Sequence, residues 1–210
     1  MNNSEIILRE LDKHLREDAE LIIFGKSAIV LGFPTAPSDY ASTMDVDGII
    51  PMEMLEALSN NENFWDALEK TNEVLKPTGL YMTHIFQEDQ IILTPDWLKK
   101  TVPLNLGLNH LKIQRPSTLD LILTKMMRGD DADLEEIKFL IKVDSINITD
   151  LETAYPIARS PKILEIEEIF LRSQKAVRKL YQPLETPHNG QITGNPKKTT
   201  KHDNSGMPPP

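Results

Sequence analysis

Leu21-Ile22-Ile23-Phe24-Gly25-Lys26-Ser27-Ala28-Ile29-Val30-Leu31 changes character at its fifth residue. Leu21 to Phe24 is a short apolar run that stops at a glycine, the pattern of a buried strand. Lys26 to Leu31 can form a helix, which Gly32-Phe33-Pro34 breaks. A glycine turn that opens a helix exposes backbone N–H groups suited to phosphate. Lys26 and Ser27 add a charge and a hydroxyl to that turn. The plainer alternative is turn geometry alone, because many helix N-termini carry no ligand.

A loop rich in Pro, Ser, Thr and Asp leads on to Met44-Asp45-Val46-Asp47-Gly48-Ile49-Ile50, a second strand ended by Pro51. Residues two apart in a strand share a face. Asp45 and Asp47 therefore project side by side and repel each other unless a cation or basic group neutralises them. Such a pair is a natural seat for Mg²⁺, which prefers carboxylate and phosphate oxygen. The alternative is an edge strand whose polar face meets water.

Outward from this centre the chain alternates. Ile7, Leu8, Leu11 and Leu15 form one stripe of a helix over about Ser4 to Asp18, with Ser4 as N-cap. Helices are expected over Met52 to Ser59 and Asn63 to Leu75. Leu80 to Phe86 and Gln90 to Leu93 read as paired strands. Thr94-Pro95-Asp96 opens a short helix with Trp97 and Leu98. Two short strands follow, Val102 to Leu106 and Leu111 to Ile113. From Pro116 the pattern is helical: Ser117 to Met127, Ala132 to Ile141, Ile148 to Tyr155 and Lys162 to Leu180. Trp65, Trp97 and Met126-Met127 are expected in a core or interface, as large apolar side chains at helical spacing usually are.

The expected class is α/β (α+β): a mixed sheet with flanking helices over 1–115, a helical region over 116–182, and a disordered tail over 183–210. The tail holds six prolines and three glycines but two lone aliphatics, Leu184 and Ile192, so it cannot bury enough apolar surface to offset the entropy of ordering it.

Composition removes several classes of function. The chain has no cysteine, which excludes disulfides, thiolate nucleophiles and thiolate zinc sites. Its five scattered His argue against a His-rich metal centre. A net charge of −9 disfavours broad non-specific nucleic-acid binding, which runs on phosphate counterion release. No apolar run reaches membrane-spanning length and Met1-Asn2-Asn3-Ser4-Glu5 does not look like a signal peptide, so a cytoplasmic protein with no membrane partner is expected.

A third stretch carries charge into the helical half. In Leu119-Asp120-Leu121-Ile122-Leu123-Thr124-Lys125-Met126-Met127-Arg128, Leu119, Ile122, Leu123 and Met126 make an apolar stripe. Lys125 and Arg128, three apart, share a helix face. They can clamp a phosphate, with Asp133 at the start of the next helix, or they can pair with neighbouring acids on a solvated face.

In this order the pieces resemble the DNA polymerase-beta-like nucleotidyltransferase superfamily. Gly25-Lys26-Ser27-Ala28 matches its glycine turn, and Thr43-Met44-Asp45-Val46-Asp47 its Asp-x-Asp strand. Lys125-Met126-Met127-Arg128 and Asp133-Leu134-Glu135-Glu136 are similar to the helical motifs of the AbiEii-type branch, which includes bacterial toxins of toxin–antitoxin systems. Asp96-Trp97-Leu98 also resembles a turn of those relatives. The resemblance spans roughly Leu21 to Ile141.

It implies Mg²⁺-dependent transfer of a nucleotidyl group from a nucleoside triphosphate to an RNA, protein or small-molecule acceptor. A toxin or phage-defence role with an antitoxin partner is part of that implication. Asp45 and Asp47 would hold the metal. Gly25, Lys26, Ser27, Thr43 and Arg128 would bind the nucleotide, and Lys125 and Asp133 would join the catalytic set. The chain departs from the pattern in three places. Lys26 replaces a small residue, Ala41 stands where Arg precedes the Thr, and no third acid is evident. The later strand offers Thr83 and His84, with Glu88 and Asp89 just beyond. These departures keep open a catalytically degenerate fold acting as a protein-binding or regulatory module.

Overall fold

The computed structural model describes residues 1–182, the side chain of His84 excepted. The expected disordered tail, 183–210, lies outside the described residues. Among the described residues, five strands form one mixed sheet: β1 (Ala19–Phe24), β2 (Asp45–Ile50), β3 (Tyr81–Gln87), β4 (Val102–Leu104) and β5 (Leu111–Arg115), in the order β3-β2-β1-β5-β4. β1 runs antiparallel to β2 and parallel to β5. β2 runs parallel to β3, and β4 antiparallel to β5.

The sheet is covered differently on its two faces. Leu21 and Ile23 of β1, Val46 and Met82 belong to the larger core, together with α1 (Asn3–His14), α2 (Gly25–Gly32) and α4 (Glu62–Leu75). The alternate residues Ile22 and Ile49 form a smaller cluster with Ile91, Leu93 and Trp97. α3 (Leu55–Ser59) precedes α4, and the two clusters close both faces of β1. α5 (Thr118–Lys125), α6 (Asp131–Val143), α7 (Ile148–Ala154) and α8 (Leu164–Leu180) complete the fold. Among the described residues, no helix is long and apolar enough to cross a membrane.

Several expectations shift. α1 is capped by Asn2, whose side chain accepts the Glu5 N–H at 2.8 Å, while Ser4 is buried inside the helix. The helix ends at His14 rather than Asp18 because Leu15 takes extended backbone. Gln90 to Leu93 is not a strand paired with β3. A 3-10 turn covers Glu88–Gln90, and Leu93 instead makes an isolated antiparallel bridge to Arg159. Ile91, Ile92 and Leu93 are all buried, and a short apolar run of that kind reads like a strand whatever its partner. Trp97 and Met126 are buried as expected, but Trp65 is 37% exposed and donates its indole N–H to the Leu58 carbonyl.

Candidate active site

Gly25 sits at φ +68° where β1 becomes α2, a backbone region that costs an L residue about 1–2 kcal/mol. Phe24 holds the N-cap position in extended backbone and gives no side-chain cap. The first N–H groups of α2 thus receive no cap from Phe24, and such groups at a helix N-terminus suit an anionic ligand. A β-carbon on Gly25 would stand 3.8 Å from Asp47 Oδ2, so the turn and the carboxylate face one another.

Asp47 is the cross-strand partner of Phe24, as Ile49 is of Ile22. Directly opposed residues of an antiparallel pair share a face, so Asp47, and Asp45 two residues before it, lie on the face of the smaller apolar cluster. The loop and α2 brace that strand. The Ser27 hydroxyl donates to the Asp45 backbone carbonyl at 2.8 Å, and the Thr43 hydroxyl to Asp45 Oδ1 at 3.0 Å.

The β2–β3 register slips between Val46↔Met82 and Gly48↔Ile85. Thr83 and His84 together therefore stand against Asp47. Such bulges gather beside active sites, where they re-aim a strand. Thr83 Oγ1 is buried there without a hydrogen-bond partner among the described residues.

Across the cleft, α5 and α6 present the charges. α5 delivers Lys125 from its last turn, and the chain turns at Gly129 before Asp130 caps α6 by accepting the Asp133 N–H at 2.8 Å. Arg128 grips Asp133 with two hydrogen bonds of 2.8 Å, from Nε and a terminal nitrogen. Lys125 Nζ lies 3.5 Å from Asp133 Oδ1 and 2.5 Å from Glu136 Oε2. Glu136 also meets Lys26 Nζ at 3.3 Å. Asp133 and Glu136 are buried, 1% and 2% exposed, and a buried charge of this kind needs the opposite charge beside it.

The charges leave their mark on neighbouring groups. The hydrogen bond from Arg128 to Asp133 holds the guanidinium above its ordinary value. The Asp133 N–H, followed by Arg128, holds Asp130 below the usual carboxylate range. Burial, with the Glu136 charge next, pushes the Tyr40 hydroxyl up to about 12.

A cavity of about 270 Å³ brings these parts together. Gly25, Asp47, Lys125, Arg128 and Asp133 line it, with Phe24, Phe86, Ile91 and Met127 as its apolar wall. Phe24 and Phe86 meet edge to face at 5.6 Å. Five of the residues singled out in the sequence thus share one space. Ser27 and Thr43 act from behind, through Asp45. Lys26 points to Glu136 and the Tyr40 ring, 5.4 Å from its centroid, rather than lining the cavity.

Sequence reasoning gave no role to Glu136, which joins both lysines, although its spacing of three from Asp133 places the two acids on one helix face. The aromatic wall was also missed, since Phe24 reads simply as strand core. Asp45 and Asp47 on β2 are the carboxylates that could contribute to holding a hard divalent cation. Asp130, Asp133 and Glu136 are engaged by Arg128, Lys125 and Lys26, and of the two strand carboxylates Asp47 lines the cavity. The strand supplies two carboxylates, and ligand phosphates and water would complete the shell. No cluster of three His, Cys, Asp or Glu able to hold a metal occurs among the described residues.

Comparison with known proteins gives no match among curated proteins and none among solved structures. A family profile, described as nucleotidyltransferase of unknown function (DUF6036), matches residues 5–174. That span runs from α1 into α8 and contains the Gly25 turn, the Asp45–Asp47 strand and the Lys125–Glu136 network. With the glycine turn, the paired carboxylates and most of the chain inside it, this protein belongs to the DUF6036 nucleotidyltransferase family.

Proposed function

We propose that the chain transfers a nucleotidyl group from a nucleoside triphosphate, in the presence of Mg²⁺, to a hydroxyl of an RNA, protein or small-molecule acceptor. The facing of the Gly25 turn and the Asp47 carboxylate, 3.8 Å from a β-carbon on that glycine, carries the reading. The turn supplies N–H donors for phosphate, and the strand supplies anionic ligands beside it. A Mg²⁺ ion bound by Asp45 and Asp47 would neutralise the phosphates and the departing pyrophosphate.

The chain's own residues do the remaining work. Thr43 and Ser27 fix Asp45, so that its free oxygen keeps one direction. Lys125 and Arg128 line the same cavity as Asp47 and offer positive charge to the phosphate tail. Asp133 and Glu136 orient those cations before any ligand arrives, which lowers the cost of binding. The base lies against Phe24, Phe86 and Met127. The acceptor oxygen replaces pyrophosphate on the α-phosphorus, and its proton leaves to solvent. The resemblance of the Lys125–Glu136 region to the AbiEii-type branch extends the proposal to a toxin or phage-defence role controlled by an antitoxin.

Calorimetric titration of ATP, GTP, CTP and UTP, with and without Mg²⁺, tests the site. Wild type binds at least one nucleotide only with the metal, and the Asp45→Ala, Asp47→Ala double variant does not. A folded wild type that binds none of the four would overturn it. Two features favour the second reading, a non-catalytic module: Lys125 and Arg128 are already paired with buried acids, and β3 offers Thr83 and His84 rather than an acid beside Asp47.

A further inference from the structure

We propose that two copies of this chain associate through α8, antiparallel, about a two-fold axis beside Leu171. The helix buries Phe170, Ser173, Gln174 and Val177 against its own molecule. Leu164, Glu168, Leu171 and Lys175 follow at helical spacings of four, three and four, which puts them in one row. All four are exposed, Leu164 at 71% and Leu171 at 58%. Ile163, the N-cap residue next to Leu164, is also more than half exposed. Apolar surface rimmed by charge is what an interaction face presents.

The charges on α8 say which partner fits. Glu165, Glu167 and Glu168 occupy its first half, and Arg172, Lys175, Arg178 and Lys179 its second. That order suits the dipole of the helix itself. It also makes the helix complementary to its own reverse. A parallel copy would set acid against acid, whereas an antiparallel copy sets acid against base. With the axis beside Leu171, Glu168 of each copy meets Lys175 of the other, and the two Leu171 side chains meet at the centre. Neither Glu168 nor Lys175 has an ion pair within its own molecule among the described residues.

A groove of about 600 Å³ runs beside the row, lined by Tyr155, Pro156, Phe170, Leu171, Gln174 and Arg178. In the antiparallel register, Leu164 of the second copy reaches the Gln174–Arg178 end of that groove. Every contact occurs twice, as an isologous interface requires.

Sedimentation equilibrium of the full chain across the micromolar range tests the pairing, with circular dichroism confirming that each variant keeps its helices. These are surface positions, and the fold should tolerate the changes. Wild type is expected as a dimer, and Leu171→Glu as a monomer. Glu168→Lys and Lys175→Glu each weaken the dimer by about tenfold or more, since each sets like charges together at two places. The combined Glu168→Lys, Lys175→Glu variant restores it. A wild type that stays monomeric overturns the proposal and leaves this face to a different protein. A dimer indifferent to Leu171→Glu places the interface elsewhere, and failure of the combined variant to restore association overturns the antiparallel register.

Discussion

Replacing Gly25 by Ala separates the two roles that residue plays. The added β-carbon would stand 3.8 Å from the nearest Asp47 oxygen, an ordinary contact, so the cost is conformational. A left-handed φ should reduce stability by about 1–2 kcal/mol, and a thermal melt should show a fall of a few degrees. Relaxation of the strain re-aims the first N–H groups of α2, so nucleotide affinity should fall by more than the melt suggests. Equal affinity in the Gly25→Ala variant would mean that the turn does not touch phosphate. Glu136→Ala is the stability counterpart. It leaves Lys125, with its side chain 10% exposed, holding only Asp133 at 3.5 Å, and breaking a buried pair from one side costs about 3 kcal/mol. Chemical denaturation should register that loss even without nucleotide. At this scale the sequence shows which residue types matter, but not where long side chains turn. Gly25, Asp47, Lys125, Arg128 and Asp133 line one cavity, as the resemblance implies. Lys26 carries its charge to the far side of the turn, toward a glutamate more than a hundred residues away in sequence, and no local pattern encodes that choice.

Elements are held in register by buried acids as well as by apolar packing. Asp12 of α1 accepts the backbone N–H groups of Asn109, His110 and Leu111 at 2.8–3.1 Å, which fixes the start of β5 against the helix. Burial works to raise its pKa, but those three backbone donors outweigh burial and leave it below the ordinary carboxylate value. A carboxylate depressed in the folded state binds protons more readily when unfolded. Its stabilisation is therefore complete above the unfolded pKa of about 4 and is lost as pH falls through the folded value. Asp12→Asn should accordingly be less stable than wild type at pH 7, and the gap should narrow as both are melted at successively lower pH. A gap constant with pH would show that the charge contributes nothing. The regular elements are mostly visible in the sequence because their apolar periods are long, as in α1 and α8. Gln90 to Leu93 misleads because its partner, Arg159, comes from a distant loop, and the slip at Thr83–His84 leaves no mark on strand alternation.

The Gly25 cleft lies between the sheet and the helical half, which makes the cohesion of the whole molecule part of the site. Residues before and after position 115 share one core: Ile29 and Phe33 of the first part lie in the same buried cluster as Ile122, Met126 and Ile137. Phe139 of α6 meets Phe33 and Tyr40 edge to face at 5.9 and 6.3 Å. Even the boundary residue is interior. Arg115 is buried, with its guanidinium 4.4 Å from the Phe33 ring centroid, and it hydrogen-bonds to the Pro116 carbonyl and the Thr118 hydroxyl. A helical second half is legible from residue 116 onward, but periodicity reports which face of a helix is apolar and not which element that face meets. A fragment of residues 1–115 would expose Ile29, Phe33 and the α2 surface that α5 covers, without the contacts that offset the entropy of ordering them. It should show no cooperative thermal transition and should bind a hydrophobic dye. The chain carrying residues 1–182 should unfold in one step, with Trp fluorescence and far-ultraviolet circular dichroism tracing the same curve. A fragment that melts cooperatively near the temperature of the longer chain would instead make the sheet an independent domain. The charges of α5 and α6 would then be an attachment to it rather than one wall of a single cleft.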